Sequence, residues 1–310
     1  MDFLILLLGL TGLWLGTELT IRGAVSLAAR LGVSELIIGI VVLSIGSDLP
    51  ELAIAIDVAI ENIGMGDASD VVVGSALGSS LGQIAFVLGV AGLLAFLTLE
   101  RKTVMQHGAI LLGSIVILGM FAWDGYVTRT EGIALVIVYL IYLMLVISDA
   151  TPEVKAETHD DSLATTLLVL VGGLVIVTVS AELTVTGAIG AATLIGVDDA
   201  VVAILIVGLG TSLPELSISV GAVLRGRHHM SVGNLIGSNI FDTLVPIGVA
   251  AMISGIHFNE EMLRLEVPFL FAVTSVVLVF FVRKFGINKH EAGVILAMYL
   301  GYAAIKIGTA

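Results

Sequence analysis

Two copies of a Leu-Pro-Glu tripeptide, Leu49-Pro50-Glu51 and Leu213-Pro214-Glu215, lie inside apolar runs that are long enough to cross a bilayer. An ionised side chain in the bilayer interior costs about 2.5 kcal/mol or more unless something compensates for it. Proline inside a helix removes a backbone hydrogen bond, and non-helical backbone is tolerated at this depth only where protein buries it or a cavity hydrates it. The two tripeptides therefore predict a pair of broken membrane helices that form a cation site.

The composition restricts the chain to the class of multi-pass membrane proteins. Hydrophobic residues make up 58% of its 310 residues and charged residues only 13%, which soluble globular domains do not show. The net charge of -13 argues against nucleic-acid binding. The absence of cysteine excludes disulfides and thiolate metal sites. The first apolar run has no basic segment before it, so we expect a membrane helix there and not a removed signal.

Apolar runs of about 18 to 25 residues predict ten membrane-spanning helices. They cover residues 3–28, 35–62, 70–95, 105–122, 131–148, 163–190, 197–224, 231–254, 265–283 and 290–308. Ten of the thirteen basic residues fall at the odd-numbered connections. The positive-inside rule then places these connections in the cytoplasm and predicts a cell-membrane protein with both termini extracellular.

The two halves of the chain repeat each other. Thr17-Glu18-Leu19-Thr20 recurs as Ala181-Glu182-Leu183-Thr184 at a shift of 164, and the Leu-Pro-Glu tripeptides share that shift. Because five spans per half is an odd number, the second half must be inverted, as in secondary transporters that bind near the midplane. We therefore expect an all-α integral membrane fold of ten transmembrane helices in two inverted five-helix repeats, 1–148 and 163–310, with helices 2 and 7 broken. Residues 149–162 would form an acidic cytoplasmic linker.

Polar groups surround both predicted breaks. Hard cations prefer carboxylate, hydroxyl and freed carbonyl oxygens, and all three kinds are present here. The candidate residues are Ser44, Ser47, Asp48 and Glu51 in the first half and Gly208, Thr211, Ser212 and Glu215 in the second. A simpler interpretation is that the prolines only kink the helices and that the hydroxyls bond back to the preceding turn. It does not account for two membrane carboxylates at equivalent positions.

Spans three and eight supply a second repeat-related pair. Ser79 is followed four residues later by Gln83, and Ser238 is followed four residues later by Asp242. This spacing places both members of a pair on one helix face. Close helix packing is an alternative role for the two serines, but Asp242 in its apolar surroundings favours a ligand.

The doubled Gly-(Ser/Thr)-x-Leu-Pro-Glu and Gly-Ser-x-x-x-(Asn/Asp/Gln) patterns resemble the α-repeats of the cation/calcium antiporter superfamily, most closely its prokaryotic sodium/calcium exchangers. The resemblance covers both halves of the chain. It implies that Glu51 and Glu215 are the central Ca²⁺ ligands, shared with Na⁺, and that Asp242 completes the cluster. It also implies flanking sodium sites formed by Ser47, Ser79, Thr211, Ser212 and Ser238, with carbonyls near Ser44 and Gly208.

The first half departs from this family pattern at two positions. Asp48 stands where a serine or small residue is usual, and Gln83 stands where asparagine is more common. One Ca²⁺ would neutralise only two of the four formal charges on Asp48, Glu51, Glu215 and Asp242, so a proton on at least one of them is favoured. We hypothesise that Asp48 binds an extra cation or couples a proton.

These patterns predict a secondary antiporter that exchanges Na⁺ for Ca²⁺ by alternating access. The alternative is a proton-coupled exchanger of Ca²⁺ or another divalent cation with the same fold, and a cation channel is less favoured because the inverted repeat is typical of a carrier. No phosphate loop or nucleophile triad is visible, so we expect neither enzymatic activity nor a cofactor. We expect the lipid bilayer, and no obligatory protein, as partner. Glu18 and Glu182 either line an access path or hold helices together.

Overall fold

The computed structural model describes residues 1–63, 67–149, 162–195 and 210–309, which form helices joined by short turns and two-residue strands. The first half of the chain contains α1 (Asp2–Leu31), α2 (Glu35–Ser47), α3 (Leu49–Asn62), α4 (Ser69–Leu94), α5 (Arg101–Phe121) and α6 (Arg129–Ser148). The second half contains α7 (Leu163–Leu194), α8 (Leu213–Leu224), α9 (His228–Ser254), α10 (Met262–Arg283) and α11 (Lys289–Thr309).

Seven of the described helices are long and apolar enough to cross a membrane, and α2 with α3 adds an eighth span if the bent pair counts as one. This confirms the prediction of an all-α, multi-pass membrane protein. The shorter α8 belongs to the predicted seventh span, 197–224, of which the structure describes only residues 210–224. Gly208 and most of the predicted linker lie outside the described residues.

The predicted break in the second span lies at Asp48. Helix α2 ends at Ser47, α3 begins at Leu49, and the two helices meet at a bend of 43°. Pro50 occupies the first turn of α3, where its missing N–H has no helical partner to lose. Pro214 occupies the same position in α8. As a result, Glu51 and Glu215 each lie in the first turn of a helix that starts inside a predicted membrane span.

Helices α2 and α4 contain π-helical turns at Gly39–Leu43 and Gly82–Val87, and α10 begins with one at Met262–Glu266. A π turn widens the helix by one residue and re-aims the side chains around it, which is common next to functional positions. The turn in α4 includes Gln83, and the turn in α2 directly precedes Ser44.

Helices α1 and α7 pack closely along much of their length because glycines lie in the interface. A Cβ added to Gly16 would lie 2.8 Å from the backbone nitrogen of Val177, and one added to Gly173 would lie 2.5 Å from the backbone nitrogen of Thr20. Small residues allow such approach in membranes, where dispersion forces drive helix association.

Helix α9 is the central element of the described fold and contacts helices α2 to α6 and α8. Most of its residues from Met230 to Ala251 are buried. Gly237 allows close approach to α2, because a Cβ at this position would lie 2.5 Å from the carbonyl oxygen of Ile40 and 2.6 Å from Ser44 Oγ. This approach brings the next residue, Ser238, against the break at Asp48.

Two short antiparallel pairings connect the halves. Strand β1 (Leu97–Thr98) pairs with β4 (Gly286–Ile287), and β2 (Tyr126–Val127) pairs with β3 (Ile256–His257). Each pairing joins a helix connection of one half to a helix connection of the other half. The first pairing therefore holds the α4–α5 connection against the α10–α11 connection, and the second holds the α5–α6 connection against the α9–α10 connection.

Candidate functional site

Four membrane carboxylates are buried in one region of the fold. Asp48, Glu215 and Asp242 have an exposed fraction of 0%, and Glu51 has 6%. Asp48 lies within electrostatic range of the other three carboxylates, and Glu51 lies within range of Glu215 and Asp242. The two half-helix starts and α9 thus bring together the four acids that the sequence predicts.

Asp48 joins the break in α2 to the central helix. Its Oδ1 accepts hydrogen bonds from Ser238 Oγ at 3.0 Å and from Ser47 Oγ at 3.2 Å. Its Oδ2 has no partner among the described residues. Asp48 therefore holds α2 and α9 together with one oxygen and keeps the other oxygen available.

Gln83 makes the corresponding link from α4 to α9. Its amide nitrogen lies 3.0 Å from Ser79 Oγ and 3.1 Å from Asp242 Oδ2, so the predicted i, i+4 pair points at the same place. Its amide oxygen accepts a hydrogen bond of 3.0 Å from Asn239 Nδ2. The amide fixes Asp242 through one oxygen and leaves Oδ1 without a partner among the described residues.

Several buried oxygens of this cluster lack a hydrogen-bond donor among the described residues. A buried polar oxygen without a partner is costly, and in native proteins it calls for a water, an ion or a functional explanation. The oxygens are Asp48 Oδ2, Glu51 Oε2, both carboxylate oxygens of Glu215, Asp242 Oδ1 and Ser212 Oγ. All are hard ligands, so a desolvated Na⁺ or Ca²⁺ is the kind of species that would satisfy them.

No group of three or more His, Asp or Glu side chains in the part of the chain that the structure describes is arranged to hold a metal ion by itself. The hydroxyl and amide oxygens beside the carboxylates could complete the shell of a cation bound at this cluster. This mixed ligand set suits Na⁺, which carries one charge, as well as Ca²⁺.

The remaining predicted site residues have different surroundings. The Ser44 hydroxyl donates back to the carbonyl oxygen of Ile40, as the simpler interpretation of these hydroxyls predicts. Ser212 is buried and faces α4, since a Cβ at Gly82 would lie 2.9 Å from its Oγ. Thr211 is partly buried beside it. Gly208 lies outside the described residues, so its predicted role stays a prediction.

The sequence-based prediction missed two residues of this region. Asn239 bonds to Gln83 and to the carbonyl oxygen of Leu235 at 2.9 Å, while its own Oδ1 has no partner among the described residues. Its position directly after Ser238 in the repeated motif was an available signal. Tyr139 of α6 is buried, lies within electrostatic range of Asp48 and Asp242, and has a hydroxyl without a described partner. It lies in a uniformly apolar run, which gives no such signal.

Glu18 lies outside this cluster and forms ion pairs. It accepts a 2.5 Å contact from Arg22 Nε one turn along α1 and pairs with Arg225 just beyond α8. The second of the two predicted roles, holding helices together, fits this geometry. Glu182, its repeat-related counterpart, is exposed on α7.

The chain matches the family described as sodium/calcium exchanger protein over residues 1–148 and 165–308. It is 27% identical over 347 residues to the sodium/calcium exchanger MaX1 of Methanosarcina acetivorans, with 98% of each chain covered. It is 29% identical over 262 residues to the inner membrane protein YrbG of Escherichia coli, and this alignment covers 81% of the present chain and 79% of YrbG.

Its fold is similar to a solved structure of the sodium-calcium exchanger NCX_Mj soaked with 10 mM Na⁺ and zero Ca²⁺. The TM-score is 0.84 at 27% identity, and 98% of each chain is covered. The match with the family spans both halves, including the paired Leu-Pro-Glu breaks and the motifs of α4 and α9. The chain therefore belongs to the sodium/calcium exchanger protein family.

Proposed function

We propose that this chain is a secondary antiporter that exchanges Na⁺ for Ca²⁺ across the cell membrane by alternating access. The observation that carries the proposal is the burial of two repeat-related glutamates, Glu51 and Glu215, each in the first turn after a helix break and each with an unpartnered oxygen. Burying two carboxylates without basic partners is too costly to persist unless a cation or proton joins them. Membership of the family supports Na⁺ and Ca²⁺ as the transported ions.

Coupling follows from competition for the same oxygens. One Ca²⁺ brings two charges to a cluster that holds a surplus of carboxylates, whereas Na⁺ brings one and is satisfied by fewer of them. When Na⁺ ions occupy hydroxyl and carboxylate oxygens around Ser47, Ser79, Ser212 and Ser238, fewer charges remain for Ca²⁺. In this proposal, Glu51 and Glu215 hold Ca²⁺, Asp242 completes the cluster, and Thr211 with the carbonyls near Ser44 and Gly208 serves the flanking sodium sites.

We further propose the ten-helix arrangement in two inverted five-helix repeats, 1–148 and 163–310. Contacts that recur between the halves support it. The β1–β4 and β2–β3 pairings interchange when the halves are exchanged. The same exchange relates Glu131, which accepts from the backbone nitrogen of Thr128, to Glu291, which accepts from the backbone nitrogen of Asn288. The asymmetry of basic residues supports extracellular termini and a cytoplasmic linker at 149–162.

A proton-coupled exchanger is the second candidate, and Asp48 is the observation that favours it. Most oxygens of the cluster are explained by Na⁺ and Ca²⁺ alone, but Asp48 adds a carboxylate whose Oδ2 has no described partner. That oxygen either contacts an additional cation or carries a proton during the transport cycle.

Uptake of radiolabelled Ca²⁺ into proteoliposomes under separate Na⁺ and H⁺ gradients tests the proposal. We expect uptake to require an outward Na⁺ gradient. Uptake driven by a pH gradient alone would assign the proton-coupled function instead. Rapid uptake without either gradient would identify a channel and overturn the antiporter proposal.

A further inference from the structure

A second charged region lies away from the carboxylate cluster, where α1, the start of α7 and the end of α8 meet. A cavity of about 660 Å³ opens there, and three arginines line it: Arg22, Arg225 and Arg227. These arginines belong to the first and seventh connections, on the side that the positive-inside rule makes cytoplasmic.

The arginines retain unused donors. Arg22 bonds to Glu18 through Nε, and its side chain is 70% exposed. Arg227 bonds to Glu35 through Nη1 at 2.6 Å and is 44% exposed. The terminal nitrogens of Arg22, and Nε and Nη2 of Arg227, have no partner among the described residues. Among the described residues, these three guanidinium groups pair with only two glutamates, Glu18 and Glu35.

A buried hydroxyl also lines the cavity. Thr166 is only 3% exposed, and its Oγ1 has no hydrogen-bond partner among the described residues. Thr166 lies in the first turn of α7, a 32-residue helix capped by Ser162, whose Oγ accepts from the backbone nitrogen of Thr165 at 3.1 Å. The positive end of this helix dipole therefore adds to the arginine charges at the cavity.

The rest of the lining is largely apolar, with Leu19, Val25 and Val169 among the residues. The arginines are not a consequence of the repeat, because the counterparts of Arg22 and Arg225 in the other half are Thr186 and Glu61.

We propose that this cavity binds a phosphate group, carried either by an anionic phospholipid or by a soluble phosphate. Guanidinium groups bind phosphate oxygens in bidentate fashion, a helix N-terminus favours an anion, and Thr166 supplies a hydroxyl donor. Basic pockets between membrane helices on the cytoplasmic side are suited to lipid headgroups, and the apolar walls would contact the attached glycerol and acyl groups.

Native mass spectrometry of the purified full chain in detergent tests the lipid source, with phosphatidylglycerol compared against diacylglycerol, which is neutral and has no phosphate. Titration with inorganic phosphate against chloride at equal ionic strength, read by the thermal midpoint, tests the soluble source. Whichever of the two ligands binds to the wild type, we expect the double variant Arg22→Gln/Arg227→Gln to bind it at least about tenfold more weakly. The variant loses charge-assisted hydrogen bonds to the phosphate. Arg264→Gln is the matched control, since Arg264 is exposed, pairs with Glu260 and is not among the residues that line the cavity.

Retention of phosphatidylglycerol without an inorganic phosphate effect assigns the lipid, and the reverse result assigns soluble phosphate. If neither ligand binds better than its neutral or chloride control, the proposal is wrong. It is equally wrong if the double variant binds as wild type does. Thr166→Val keeps all charges and replaces only the hydroxyl, so we expect it to fold as the wild type does and to bind the ligand more weakly. This variant tests the site even if the double variant does not fold.

Discussion

Gln83 donates a hydrogen bond of 3.1 Å from Nε2 to Oδ2 of Asp242, which is its own repeat-related counterpart 159 residues later. The bond joins α4 to α9 at the carboxylate cluster. An amide and a carboxylate can bond directly in this way, whereas two carboxylates at the same positions would repel. The departure from the family pattern at position 83 thus has a structural consequence, because the longer amide orients Asp242 and also accepts from Asn239.

Replacing Gln83 with leucine should destabilise the protein by about 1 to 3 kcal/mol, because buried partners lose their hydrogen bonds. Asp242 Oδ2 would lose its described donor and Asn239 would lose its acceptor on α4. We also expect half-maximal transport to need a higher Ca²⁺ concentration, since Asp242 would no longer be held in place. Thermal unfolding of the purified protein and Ca²⁺ uptake measure the two effects.

Gln106→Leu is the control for this substitution. Gln106 is partly exposed on α5 and donates a hydrogen bond of 2.7 Å to Asp149, away from the cluster. A loss of stability in Gln106→Leu equal to that in Gln83→Leu would mean that the buried amide has no special role.

Glu51→Gln and Glu215→Gln should each abolish Ca²⁺ transport. Each change keeps the size of the side chain and removes one negative charge, so the cluster loses one of the carboxylates proposed to neutralise Ca²⁺. Uptake into proteoliposomes at saturating Ca²⁺ measures the effect. Glu260→Gln, on an exposed glutamate that pairs with Arg264, should transport as wild type does. Survival of transport in either variant would remove that glutamate from the proposed role and would contradict the proposal that both hold Ca²⁺.

The positions of the breaks and of the four acids could be predicted from the sequence because proline and buried charge are both rare and costly in membrane helices. Because the motifs are repeated, the sequence also predicts which residues of the two halves correspond, although they lie more than 150 positions apart. The contacts of Ser79 with Gln83 and of Asp48 with Ser47 follow from local spacing.

Contacts that depend on how helices pack could not be predicted in this way. Asp48 bonds to Ser238 only because Gly237 allows α9 to approach α2 closely. Tyr139 reaches the cluster from a helix whose apolar sequence shows no periodic signal.

Glu18→Gln should reduce stability slightly and leave Ca²⁺ transport unchanged, if the ion pairs of Glu18 serve to hold helices together. The side chains of Glu18 and Arg225 are 26% and 28% exposed, so we expect a coupling energy of about 1 kcal/mol or less. A double-mutant cycle of Glu18→Gln with Arg225→Gln, read by thermal unfolding, measures it. Loss of Ca²⁺ uptake with unchanged stability would instead support a role in the access path.

The loop before α4 should stabilise the fold in a pH-dependent way. The Ser69 hydroxyl bonds to Asp67 and, together with the nearby His257, lowers the pKa of the Asp67 carboxyl. Because this pKa is lower in the folded protein than in the unfolded chain, the stabilisation is present above the ordinary aspartate value of about 4 and is lost as pH falls through the lowered value. The difference in thermal midpoint between wild type and Asp67→Asn should therefore shrink at acidic pH.

Ser69→Ala serves as the comparison for Asp67→Asn, since it removes the largest contribution to the lowered pKa and keeps the carboxylate. It should show most of the same loss of pH dependence. A difference between wild type and Asp67→Asn that stays constant from neutral pH to about pH 3 would contradict the prediction.

Asp48→Ser should change the coupling of transport and not abolish it. The substitution gives the first break the hydroxyl that Ser212 provides at the matching position of the second break, and it removes one of four buried acids. Serine can still bond to Ser47 or Ser238, so the link between α2 and α9 is kept in part. If Asp48 binds an extra cation or carries a proton, the variant should need a different Na⁺ concentration or pH for half-maximal Ca²⁺ uptake. Unchanged dependence on both would show that Asp48 only holds the two helices together.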